Sequence, residues 1–129
     1  MNPNHYCDIE RCKKLTEITE KSKTFSTQLQ WYQMVWKPET LRLVQHLAPI
    51  DVQEEFVAWC PSVMEMLDVI PTTVKKWDDT YPFMQEWDMF DDIWRVWHEH
   101  FDNAQEDISL PNALADLIFW LHENNYIKF

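Results

Sequence analysis

The residues best equipped for chemistry in this sequence are eight carboxylates crowded between positions 78 and 102: Asp78, Asp79, Glu86, Asp88, Asp91, Asp92, Glu99 and Asp102. Carboxylates at such density can hold a divalent cation, work as an acid/base pair, or meet a cationic surface as a group. A di-iron bundle adds Glu-x-x-His and a metalloprotease His-Glu-x-x-His, and this sequence contains neither. A metal-dependent enzyme is therefore the weakest of the three readings.

Histidines and cysteines supply the other candidates. His98 and His100 form a His-x-His, but on a helix residues two apart point about 160° away from each other and cannot share an ion. His100 is expected in the core, and His98 at its border, within reach of Asp102. His5, Cys7 and Cys12 lie close enough to suggest zinc, although Cys-x4-Cys lacks a second ligand pair and Cys60 would have to come from elsewhere. An odd count of three cysteines points instead to free, partly buried thiols in a reducing compartment. Cys60 with His46 or His122 would make a nucleophile pair, yet Trp59 and Pro61 flank it and nothing nearby signals activation. These readings predict no catalysis and no cofactor.

Charge separates the chain into two parts. Residues 1–48 carry seven Lys or Arg against five Asp or Glu, whereas residues 49–129 carry four against seventeen. The overall net charge is −11. Phosphates would be repelled, which argues against direct nucleic-acid binding. A solvated face that keeps the protein soluble is the plain reading. The functional reading is that a basic partner relieves the repulsion, because carboxylates along a rigid edge imitate a nucleic-acid backbone.

The elements that would position these groups read as helices. There is no glycine in the chain, and hairpin turns and phosphate loops lean on glycine. Asp8 caps a helix running to about Lys21, with Ile9, Cys12, Leu15 and Ile18 inward. Phe25 to Trp36 suits a helix, although Leu29, Trp31 and Val35 also suit a strand. Pro38 opens a short helix with Leu41, Val44 and Leu47 on one face, stopped by Pro49. Asp51 with Glu54 resembles a capping arrangement, followed by Val52, Phe56 and Trp59 before Pro61. Ser62 and Glu65 form a capping box before Met66, Leu67 and Ile70. Thr72 or Thr73 caps a short turn through Trp77.

Phe83, Trp87, Phe90, Trp94, Trp97 and Phe101, spaced 4, 3, 4, 3, 4, predict an amphipathic helix over 82–102 with the acids opposite and Arg95 as the lone cation. A last helix from Ser109 and Pro111 buries Leu110, Leu114, Leu117 and Leu121, and Asn124-Asn125 end it in place of glycine. The expected fold is a single all-α domain over 1–129, an irregular bundle of about five to seven helices. Hydrophobic residues at 46% exclude a disordered tail. No run nears the roughly 20 apolar residues of a membrane span. Met1 to Asp8 lack the apolar core of a secretory signal, so the cytoplasm is expected. Eight Trp exceed the needs of a core this size, and a surplus suits a protein interface.

The segment Phe56-Val57-Ala58-Trp59-Cys60-Pro61-Ser62-Val63-Met64-Glu65-Met66-Leu67 resembles a Trp-x-Pro-x-x-x-x-Leu cadence of small accessory proteins of tailed bacteriophages. Leu110-Pro111-Asn112-Ala113-Leu114-Ala115-Asp116-Leu117 is similar to their C-terminal helix. The likeness covers about a fifth of the chain and carries no site residues. It implies a phage origin and a bacterial cytoplasm, among proteins that include anti-restriction and anti-CRISPR inhibitors. Charge and resemblance together predict a non-catalytic inhibitor that docks its eight carboxylates on a basic, nucleic-acid-binding protein. The alternative is an immunity or antitoxin-like protein that neutralises one basic enzyme.

Overall fold

The computed structural model describes residues 6–22, 24–25, 29–45 and 48–129. In chain order these form α1 (Ile9–Thr19), β1 (Leu29–Met34), β2 (Lys37–Gln45), β3 (Glu54–Cys60), α2 (Val63–Val69), β4 (Thr73–Lys76), β5 (Asp79–Asp88), β6 (Ile93–His98), β7 (Gln105–Asp107) and α3 (Leu110–Glu123). The expected all-α bundle is wrong. Strands build a three-stranded sheet of order β2-β1-β3 and a four-stranded sheet of order β4-β5-β6-β7, antiparallel throughout.

The three helices that form keep the end signals read for them, whereas those read at Pro38, Asp51 with Glu54, and Thr72 or Thr73 precede or lie in strands. The Asp8 side chain accepts from Arg11 N at 2.9 Å at the start of α1. Ser62 and Glu65 close both halves of the capping box on α2. At the end of α3, Asn125 takes the left-handed conformation, Tyr126 N donates to Leu121 O and Asn125 N to His122 O. That pair of bonds is a Schellman cap, with Asn where glycine is usual.

Aromatic and β-branched residues are frequent in β1, β3, β5 and β6, and β2 and β7 pair along their edges. Pro38 sits in β2, an edge of its sheet, where a missing N–H costs no ladder bond. The ring spacing over 82–102 does not follow one helix face. Phe83 and Trp87 of β5 lie opposite His98 and Trp94 of β6 on one sheet face, with the Trp87 and Trp94 rings 5.3 Å apart. Trp97 pairs with Met84 on the other face. Phe90 falls in the loop between the strands, and Phe101 lies beyond β6.

Turns form without glycine because other residues adopt positive φ: Trp77, Asp92, His100 and Asn125. Trp77 is the first of two residues joining Lys76 to Asp79, the place where a type II′ turn wants glycine.

Helix α3 is the centre of the core. Ala113, Leu114, Ala115, Leu117, Ile118, Phe119 and Leu121 are all buried, so more than one side is covered. They form one cluster with Cys12 and Leu15 of α1, Ala58 and Cys60 of β3, Met66 of α2, Val74 of β4 and Val96 of β6.

Arg11 fastens α1 to α3. Its guanidinium meets Asp116 through two bonds, at 2.8 and 2.9 Å, touches Asp107 at 3.4 Å and pairs with Asp8. The Asp116 hydrogen bonds, followed by the charges of Asp116 and Asp8, raise its pKa against the opposing effect of partial burial. Arg11→Met should cost about 2 kcal/mol in urea unfolding, after allowing for solvent screening of a part-exposed pair. Lys at this site should recover only part of that, because it cannot form the fork.

Candidate functional site

The eight predicted carboxylates do not share a helix face. Asp78 and Asp79 lie at the β4–β5 turn, and Glu99 and Asp102 lie just beyond β6. Glu99 N donates to Pro82 O at 2.8 Å, which keeps this group at the start of β5. Glu86 and Asp88 lie at the far end of the same strand, with Asp91 and Asp92 in the loop that follows. From Asp79 to Asp88 the strand covers roughly 30 Å, at about 3.3 Å per residue, whereas Glu86 stands only four residues from Pro82, the residue that Glu99 joins. The continuous acidic edge expected from the helical reading is thereby replaced by two acidic ends.

Arg95 neutralises part of the far group. It stands on β6 between Glu86 of β5 and Glu106 of β7, each its register partner, and bonds them at 2.6 and 2.7 Å. Asp88 is 3.8 Å from the same guanidinium. Bonds to Glu106 first, then Glu86, raise the Arg95 pKa. Among the described residues, Asp91 and Asp92 have no ion pair.

What remains is a hairpin tip, Met89 to Asp92, with a defined shape. Asp88 Oδ1 accepts from Phe90 N at 2.9 Å and Asp91 N at 3.2 Å, an Asx-type turn that fixes the loop backbone. Asp92 closes the loop at φ 51°, a conformation Asp tolerates better than most residues. Phe90 is 93% exposed and Met89 73%, and Trp87 near the end of β5 is also exposed. An aromatic ring on a pinned backbone, flanked by two unpaired carboxylates, can enter an apolar pocket in a basic surface at small entropic cost. The ring spacing concealed Phe90 by assigning it to a core, although Asp88-x-x-Asp91-Asp92 is itself a turn signal.

No protein-family model, characterised protein or solved structure matches this chain.

The histidine expectations are reversed. His98 is fully buried and His100 is exposed, 3.8 Å from Glu99. His98 Nε2 donates to Pro71 O at 2.9 Å, and its Nδ1 accepts from Asn103 Nδ2 at 3.0 Å. Asn103 Oδ1 accepts in turn from His98 N at 2.9 Å. Burial lowers the His98 pKa, with the Pro71 carbonyl opposing. The ring is a neutral structural strut that joins β6 to the β4 entrance, and Asp102 is not its partner.

The three thiols are free and buried, as expected, and they gather together. The Cys12 thiol donates to Cys7 O at 3.3 Å. Side-chain contact with Cys12, followed by burial, pushes the Cys60 pKa up; for Cys12 the Cys60 contact acts downward, but the Cys7 contact and burial outweigh it. Among the described residues no group of three or more His, Cys, Asp or Glu is arranged to hold a metal. His5 and His46 lie outside the described residues. His122 packs on Phe129 with ring centroids 5.5 Å apart, and no hydrogen bond joins it to Cys60. Ellman's reagent should therefore label none of the three cysteines in the native state within minutes and all three after denaturation, followed by absorbance.

Among the described residues no helix is long and apolar enough to cross a membrane.

Proposed function

We propose that this chain is a non-catalytic binding protein that docks on a basic protein through the tip of the β5–β6 hairpin. The supporting observation is Phe90, almost wholly exposed on a loop held rigid by Asp88 and edged by Asp91 and Asp92. Bulky aromatics are seldom left in water on a preorganised loop without a partner to receive them. A net charge of −11 favours a cationic partner by long-range attraction. A nucleic-acid-binding protein offers such a surface, and an inhibitor of one is the role implied by the likeness to small phage accessory proteins.

The test compares wild type with a Phe90→Ala/Asp91→Lys variant immobilised side by side in bacterial lysate at low and physiological salt. A basic protein retained by wild type, released by excess duplex DNA and lost from the variant supports the reading. Identical retention by both forms, or retention indifferent to salt and DNA, overturns it. Asp88 is left unchanged because its carboxylate holds the loop, so reversing it would alter structure as well as charge.

A further inference from the structure

At the opposite end of β5 lies a cavity of about 380 Å³, between the β4–β5 turn, the segment after β6 and the end of α3. Its walls are largely aromatic. Phe101 is the hub, edge-on to Trp120 at 5.5 Å and to Tyr126 at 5.2 Å, while Trp120 and Tyr126 stack at 5.6 Å with planes 8° apart. Tyr81 closes against Phe101 at 5.2 Å. Trp77 projects on the solvent side, 86% exposed.

A cation already samples this space. Lys76 Nζ is 5.2 Å from the centroid of the Trp77 ring and 5.5 Å from that of Phe101. Two ring faces are thus aimed at one cationic position, with the Asp102 carboxylate on the same cavity wall. Lysine is a modest occupant, because its ammonium is strongly hydrated and its stem exposed. A weakly hydrated organic cation loses less water on entering and gains the same attraction from the rings.

The backbone supplies a separate argument. Positive φ is costly for bulky residues, and such strain concentrates at ligand sites. Elsewhere among the described residues the chain fills left-handed positions with Asp92 and Asn125, which tolerate them. At this cavity it uses Trp77 at φ 58° and His100 at φ 63°, both lining residues. Absence of glycine does not account for that choice, because Asp or Asn would have served both turns.

We propose that this aromatic cavity is a binding site for a small quaternary-ammonium cation, which displaces the Lys76 ammonium from between Trp77 and Phe101. The site is independent of the hairpin tip, roughly 30 Å away along β5.

The probe is choline chloride, set against 3,3-dimethylbutanol, its uncharged carbon isostere. Binding is followed by calorimetry and by the indole N–H resonances of Trp77 and Trp120. Choline should bind at least about tenfold more tightly than the isostere. Lys76→Gln, which removes the internal competitor, should tighten choline binding several-fold. Trp77→Gly should abolish it while leaving the melting temperature unchanged or higher, because glycine relieves the turn. Phe90→Ala should have no effect on it. Equal affinity for the two probes, no binding of choline at millimolar concentration, weaker binding in Lys76→Gln, or full binding in Trp77→Gly overturns the proposal.

Discussion

His98→Ala should lower the free energy of unfolding by about 3 kcal/mol and remove the dependence of stability on pH that this ring supplies below about pH 6.5. The magnitude follows from two losses in a fully buried place. The buried ring leaves a void beside Phe83, whose ring lies 5.8 Å from it, and Pro71 O and Asn103 Nδ2 lose their partners. A large-to-small change in a core costs about 2–5 kcal/mol, and each stranded polar group adds about 1–3 kcal/mol unless water reaches it. The sign of the pH effect follows from the lowered pKa. The fold holds the neutral ring, so its contribution is complete above the unfolded value near 6.5 and declines as pH falls from there toward the folded value. Urea midpoints measured for wild type and variant from pH 8 to pH 5 give both quantities. A variant that keeps the wild-type slope assigns the titration elsewhere.

The second large effect is expected at the hairpin tip, on binding rather than folding. Phe90→Ala should weaken the partner complex by about 30-fold or more, the usual cost of truncating an interface anchor of about 2 kcal/mol. Its melting temperature should stay within about 1 °C of wild type, because an exposed ring contributes little to the folded state. Asp91→Lys should act differently. It leaves the anchor in place, slows association and flattens the salt dependence, since the unpaired carboxylate steers encounter. Surface plasmon resonance on the captured partner separates the two, through dissociation for Phe90 and association for Asp91. A Phe90→Ala complex as tight as wild type would show that this ring is solvated in both states.

The helices were legible where a local signal and a helical run coincide: Asp8 and Ser62 accept from nearby backbone at helix starts, and Asn125 takes the left-handed conformation at a helix end. The same side-chain-to-backbone bonds also form in turns, at Asp51 and Asp88, and do not by themselves mark a helix. The strands were not legible, because two periods competed over residues 82–102. Ring spacings of 4 and 3 match a helix, whereas the same rings also fit two strands joined by a four-residue loop. Cross-strand partners decide between these, and they come from distant positions: Glu86 needs Arg95, and Arg95 needs Glu106. The missing glycine misled in the same way, since backbone pairing on either side, Lys76 with Asp79 and Glu99 with Pro82, holds Trp77 and His100 in conformations that their own propensities oppose.

For the candidate site, the acidic residues were identifiable by type but not by placement. Asp88 became a loop strut, Glu86 a partner of Arg95, and Asp91 and Asp92 the exposed pair. Phe90 was placed on an apolar helix face that the two strands do not form.

The sequence by itself determined the ends of the three helices that form, the free thiols and an acidic surface, because each depends on local bonding or on composition. Sheet pairing, the inward turn of His98, the exposed Phe90 and the aromatic cavity were decided only by tertiary structure. They depend on which distant segments meet, and pairing energy between strands exceeds the small local preferences that a single chain reveals.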